Sequence, residues 1–311
     1  MNLFFRRVPP IIRPMASPIS RSKVSIPHTE RTAKEPRDNN LHKVLLERME
    51  QVNDDIRLFR LVPADREKGL MKFLAGQWLD VHVPTIPKAG GFTITSPPSL
   101  LNSQEPYIEL AIQKSPSNPP AAWLWRPSDS ILGSELQVRV GGSFTWPSAN
   151  FQAEARKLKR AVFVAGGVGI NPLMSMLSQL VINREAKDDF EVQFLYSTKD
   201  PGPSNLSRIL FLGRVQQLFK ALGDKSQLQL FLTQSKDKQI DSKSQVAGED
   251  MSIQRRRIQE EDLLRALGPV DERIDTVCYI CGVPGMTDAF VELAQKAEGV
   301  DARNVFCEKW W

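Results

Sequence analysis

Two rhythms of apolar and polar positions divide this chain. Between Lys43 and Val140 the apolar residues recur at every second position in short runs, the period of strands half-buried on a sheet. Lys43–Val52 and Ile56–Val62 flank Asn53-Asp54-Asp55, a turn by composition. The run Phe73–Val83 puts Leu79, Val81 and Val83 on one face; Tyr107–Gln113 turns Ile108, Leu110 and Ile112 inward, and Glu135–Val140 does the same with Leu136, Val138 and Val140. Six such strands between turn signals predict a small antiparallel barrel, with one short helix over Pro119–Trp125.

From Ala161 onward the rhythm changes to strands alternating with helices. Ala161–Ala165 is apolar throughout, as a strand buried on both faces would be, and Leu173, Met174, Met176, Leu177, Leu180 and Val181 then make a helical stripe. Strands follow at Phe190–Tyr196, Gln227–Leu232, Thr276–Cys281 and Val305–Cys307, and helices at Ile209–Leu222, Ile258–Leu267 and Met286–Ala297. This order predicts a parallel sheet with helices on both faces, whose ligands sit at the carboxyl ends of the strands. Ser235–Arg257 interrupts it with polar sequence and reads as a solvated surface insertion. The expected organisation is a barrel over 41–150 and an α/β domain over 156–311, with the insertion at 235–257.

Composition changes this picture only at the N-terminus. The net charge of +5 comes from Arg6, Arg7, Arg13, Arg21 and Lys23, all ahead of the first acidic residue, Glu30; the rest balances at 36 basic against 36 acidic residues. The basic balance therefore belongs to a leader and gives no nucleic-acid footprint. Residues 1–37, Arg-, Pro- and Ser-rich and acid-free for 29 positions, are expected to be a transit peptide or disordered leader directing the protein to mitochondria. No apolar run approaches the length of a membrane span.

The candidate chemistry lies in Gly166, Gly167, Val168, Gly169, Ile170, Asn171 and Pro172, directly after the first α/β strand. Glycines there remove Cβ atoms where the backbone turns tightly, Asn171 reads as an N-cap and Pro172 as the first helical residue. A helix start of this kind offers unpaired N–H groups and positive dipole to a pyrophosphate. Cys278-Tyr-Ile-Cys281 has the spacing of a redox pair, but within a strand positions 278 and 281 face opposite ways, which argues against a dithiol. Three histidines and three cysteines supply no metal-ligand set.

The segment Gly166–Pro172 resembles the Gly-Gly-x-Gly-Ile-x-Pro turn of the ferredoxin–NADP reductase superfamily. Gly76-Gln77-Trp78-Leu79, Phe92-Thr93 and Cys281-Gly282-Val-Pro284 resemble its other motifs in the same order. The Gly-Gly-Phe segment, the Gly-Val-Gly-Ile-Asn-Pro turn and the final Glu-Lys-Trp-Trp resemble its branch of oxidoreductase NAD-binding domain-containing proteins. The resemblance implies a six-stranded antiparallel Greek-key barrel of the FAD-binding type followed by an α/β nucleotide-binding domain. It implies FAD at Gln77, Phe92, Thr93, Ile94, Thr95 and Ser96, and nicotinamide nucleotide at Gly166–Pro172, Cys281 and Gly282. Cys281 and Trp311 are implied as ring neighbours, with no acid–base catalyst and no metal.

Two departures stand out against that pattern. Gly90 occupies the place of the arginine that pairs with flavin phosphate, and Pro119 and Pro120 remove amide donors where a backbone cradle is expected. Two functions therefore stay open: an NAD(P)H-dependent flavin oxidoreductase with a separate electron acceptor, or a nucleotide-binding regulatory relative that has lost flavin. Without an arginine fork after Leu232-Thr233-Gln234-Ser235, NADH is expected over NADPH.

Overall fold

The computed structural model describes residues 27–65, 71–148, 158–184, 190–235, 242–246 and 249–309. The first of these, Pro27 to Asn40, is a strap that carries helix α1 (His28–Arg31) and lies against the barrel. The barrel strands are β1 (His42–Asn53), β2 (Ile56–Pro63), β3 (Trp78–His82), β4 (Gly90–Thr93), β5 (Ile108–Gln113) and β6 (Glu135–Gly141), with helices α2 (Pro119–Leu124) and α3 (Ser128–Ile131) between the last two. Strand order is β4-β3-β6-β1-β2-β5, and a bridge between Ile94 and Leu110 joins the two ends into a closed barrel. Since β6 returns beside β3 after the β3–β4–β5 run, the path is a Greek key. The tight β1–β2 turn follows from Asn53, whose side chain accepts the Asp55 amide at 3.0 Å.

The second domain holds β7 (Arg160–Gly166), α4 (Ile170–Asn183), β8 (Glu191–Lys199), α5 (Leu212–Leu222), β9 (Gln227–Thr233), β10 (Ser242–Val246), β11 (Glu249–Gln254), α6 (Glu260–Leu267), β12 (Thr276–Cys281), α7 (Pro284–Lys296) and β13 (Val305–Glu308). Its sheet runs β10-β11-β9-β8-β7-β12-β13, parallel except for β10. Successive side chains of the central strands feed two cores. Phe163, Phe194 and Tyr279 pack under α4 and α5, while Val162, Val164 and Ile280 pack under α6 and α7. Cys281 falls in the first core and Cys278 in the second, so the two thiols lie on opposite faces as the strand period requires. Burial pushes the Cys278 thiol up to about 12. No described helix is long and apolar enough to cross a membrane.

Two sequence expectations are overturned here. The folded chain starts by Pro27, not near Leu41, so a leader boundary at residue 37 is too late. Arg37 bonds Asp80 at 3.0 Å, the Gly142 amide donates to the Pro36 carbonyl at 2.9 Å, and the His28 ring meets Trp78 edge-on at 4.6 Å. The strap reads as disorder because its partners are 43 or more positions away. The segment 235–257 is likewise no plain insertion: β10 and β11 form a hairpin whose second strand joins β9, burying Met251 and Ile253. Only two apolar residues alternate there, too few to signal a strand whose other face is polar.

Candidate functional site: a cleft between the domains

The carboxyl ends of β7, β8, β9 and β12 open into a cleft of about 1210 Å³, closed on its other side by the barrel. Its walls come from Gly166–Gly169, Asn171, Ser197, Lys199, Asp200, Thr233, Gly282 and Gly285 in one domain and Phe92, Thr93, Ala111 and Ile112 in the other. That places it at the crevice the α/β order dictates.

The glycines at its floor serve two purposes. A Cβ on Gly166 would lie 2.7 Å from Met286 Sδ and 3.1 Å from Gly282 Cα, and one on Gly169 would collide with the Cys281 carbonyl and lie 2.7 Å from the Gly282 nitrogen. These three glycines let the ends of β7 and β12 meet. Gly167 is different: its φ is +56° and nothing lies within 4 Å of an added Cβ, so it faces the cleft in a backbone shape that favours glycine. Gly285 in the first turn of α7 is also open. The turn before α4 and the start of α7 thus bring two sets of helix-start amides to one cleft.

Helix α4 begins at Ile170 with Gly169 as its N-cap, so Asn171 lies inside the first turn and Pro172 is the third residue. Asn171 caps nothing. Its Nδ2 donates to the Ala111 carbonyl across the domain boundary at 2.9 Å, while its buried Oδ1 has no hydrogen-bond partner among the described residues, and Asn171 lines the cleft. Further bonds join the domains around it: Ser175 to the Ser96 carbonyl at 2.7 Å, Arg214 to Glu109 at 2.6 and 2.9 Å, Arg208 to Asp54 at 2.6 Å, and the Tyr279 hydroxyl to the Thr145 carbonyl at 3.0 Å.

At the far end, past β8, Asp200 accepts from the Gly202 amide at 2.8 Å and from Ser235 and Arg255. Burial opposes its charge, but those hydrogen bonds hold the carboxyl below its usual range. Arg257 and Lys199 line the cleft beside it. The sequence reading missed Asp200, Arg255, Arg257 and Gly285. An acid just past a parallel strand was a usable signal for Asp200; the arginines were hidden in the presumed insertion.

Of the residues the resemblance assigned to flavin, the structure brings Phe92 and Thr93 to the cleft. Gln77 spends its amide on the Leu74 nitrogen and the Gly142 carbonyl, at 2.8 and 2.9 Å. Ile94 is in the barrel core, Thr95 bonds the Glu109 carbonyl and carboxylate, both at 3.0 Å, and Ser96 accepts the Glu109 amide at 3.0 Å. Those four fasten loops and strands. The Cys281 side chain is fully buried in the core and does not line the cleft, whereas Gly282 does. Trp311 lies outside the described residues.

With this geometry in hand, comparison with known proteins is direct. Residues 163–292 match the family model described as Oxidoreductase NAD-binding domain. Oxidoreductase NAD-binding domain-containing protein 1 of Bos taurus is 32% identical over 95% of this chain and 89% of its own length. The chain belongs to that family. A relative of the same description in Danio rerio is 32% identical over 91% of the chain and 97% of its own length, so the likeness spans both domains. Its fold is that of ferredoxin reductase-like proteins: the CS-b5R domains of human Ncb5or in their NAD+ form align with TM-score 0.63 and 18% identity over 87% of this chain and 70% of that one.

In this family member the cleft has room for a dinucleotide, and the donors suited to one are on the α/β side. On the barrel side Phe92, Ala111 and Ile112 give the cleft an uncharged apolar stretch.

Proposed function

We propose that this chain is an NAD(P)H-dependent flavin oxidoreductase that takes a hydride from the nicotinamide and passes electrons to a separate acceptor. The observation that carries the reading is a single cleft with helix-start amides on one wall and a nearly buried apolar wall with Phe92 and Thr93 on the other. Amides before α4 and at the start of α7 hold the nucleotide pyrophosphate, and Gly167 lets it approach the backbone. Phe92, Ala111 and Ile112 keep water from the reacting end, and the bonds across the domain boundary fix the distance between the two walls. When bound, a flavin supplies a ring that accepts a hydride and releases electrons. No side chain of the cleft needs to move a proton for the hydride step.

NADH is the preferred nucleotide in this proposal, because no free arginine fork follows β9: the Arg255 guanidinium that reaches this end of the cleft is held by Asp200. Titration of NADH and NADPH under identical salt checks it: tighter NADPH binding overturns the preference and points to Lys199 or Arg257 as the phosphate partner. The setting is mitochondrial, on the strength of the acid-free basic start, and a fluorescent fusion of residues 1–40 that stays cytosolic removes that part of the proposal.

A second reading, a nucleotide-binding relative without flavin, has Gly90 and the two prolines of α2 in its favour. Anaerobic mixing of NADH with flavin and the purified chain separates the two. Bleaching of flavin absorption faster than without protein supports the reductase, and nucleotide binding with no bleaching supports the regulatory relative.

A further inference from the structure

We infer that the cleft grips a flavin by its ring alone, so that riboflavin, FMN and FAD bind alike and flavin acts as a diffusible substrate. The inference rests on the flavin reading just proposed and goes beyond it in naming which part of the molecule is recognised. Position 90 is the first observation. A Cβ on Gly90 would lie 2.6 and 2.8 Å from carbons of the Phe92 ring and 2.8 Å from Pro120 Cβ. Phe92 and Pro120 already fill the space a side chain would need there, so no cation can stand at this point of β4.

The start of α2 is the second. Its first two residues are Pro119 and Pro120, neither of which has an N–H, and the N-cap Asn118 makes no side-chain cap. Ala121 is the first residue of the helix that carries an N–H.

Charge is the third observation. Among the described residues, the barrel's share of the cleft wall includes no lysine or arginine, and its charged groups are Asp54 and Asp55. Arg57 and Lys114 on the same side of the barrel stack on Trp125 at 4.5 and 5.6 Å and do not line the cleft. Arg208, reaching over from the other domain, is bonded to Asp54 at 2.6 Å. A phosphate on this side would meet the Asp55 carboxylate, an Asp54 already paired with Arg208, and only neutral side-chain donors at Thr93, Gln113, Ser115 and Asn118, a loss of about tenfold in affinity relative to a phosphate clamped by a cation. The rest of that wall, Phe92, Ala111, Ile112 and Ala121, carries no charged group, and each of the four is at most 9% exposed, so it offers a ring a shallow apolar surface and no cation.

The corresponding reaction balances without another reagent. NADH gives up a hydride and becomes NAD+; the oxidised flavin takes that hydride with one proton from solvent; the dihydroflavin then leaves and delivers its two electrons elsewhere.

Equilibrium dialysis of the purified full-length chain against riboflavin, FMN and FAD, read by flavin fluorescence at low and high salt, tests the inference independently of turnover. Dissociation constants within about threefold of one another, little salt dependence and loss of all flavin on desalting are expected. FAD retained through desalting, or held more than about tenfold tighter than riboflavin, overturns the inference and leaves the flavin reading standing. Binding of NADH with no binding of any flavin removes the flavin reading itself. Asp55→Asn is expected to tighten FMN and FAD about two- to fivefold while leaving riboflavin unchanged. An FMN affinity equally unmoved overturns the electrostatic half of the argument.

Discussion

Gly285 offers a way to separate nucleotide binding from folding. It sits in the first turn of α7, lines the cleft, and has nothing within 4 Å of an added Cβ. An aspartate there favours the helix dipole but repels a pyrophosphate, so Gly285→Asp is expected to keep or raise thermal stability while weakening NADH binding at least about tenfold. Fluorescence titration beside a melting curve checks both halves. Gly169→Val would not serve, because its side chain collides with the Cys281 carbonyl and forces β7 and β12 apart at a cost of about 3 kcal/mol. The glycine turn was visible in the sequence, but which glycines answer to a ligand and which to a neighbouring strand depends on residues more than a hundred positions away. Asn171 misled for the same reason: an N-cap is a local reading, and its true partner, Ala111, is 60 positions distant.

At the scale of elements, the strap and the edge hairpin carry the expectations that sequence could not. Asp80 is fully buried where β3 faces β4, and His28, Arg37 and Arg139 converge on it at 3.2, 3.0 and 2.7 Å. Burial opposes its charge, yet the bonds from His28, Arg139 and Arg37 hold the carboxyl well below the usual range. Its contribution to stability is therefore complete above the unfolded carboxylate value of about 4 and is lost as pH falls toward the folded one. Asp80→Ala removes the carboxylate on which Arg37 and Arg139 converge, so a loss of about 3 kcal/mol at neutral pH is expected, shrinking in acid, as denaturant melts at two pH values show. Deleting residues 1–40 is expected to destabilise far more than deleting 1–26. At the other edge, Ile253→Ala removes a fully buried side chain between β11 and the core, costing about 2–4 kcal/mol by chemical denaturation.

The whole molecule is where the sequence spoke most plainly and where it fell silent. Period two giving way to strand–helix alternation was enough for a Greek-key barrel followed by a parallel sheet, because those periods are set by backbone geometry. The interface between the domains left no such trace. Its bonds join residues 60 to 155 positions apart, and Tyr279, Ser175 and Asn171 look like ordinary members of a strand and a helix. Tyr279→Phe removes a hydroxyl that donates to the Thr145 carbonyl and accepts the Ser148 amide at 3.1 Å, and is expected to cost about 1–3 kcal/mol. Because these bonds tie the two cores together, calorimetry should record one transition for the native chain, with calorimetric and van't Hoff enthalpies in agreement.

Asn53, Glu109, Ala111 and Ser96 of the barrel are each bonded to the α/β domain around the cleft, so the gap between its walls is set by folding and not by an arriving molecule. A nucleotide entering such a gap orders little chain. Its association should therefore show a small negative heat-capacity change, matching the surface of the nucleotide and the walls it touches, and amide exchange across the domain boundary should slow no more than in the rest of the sheet.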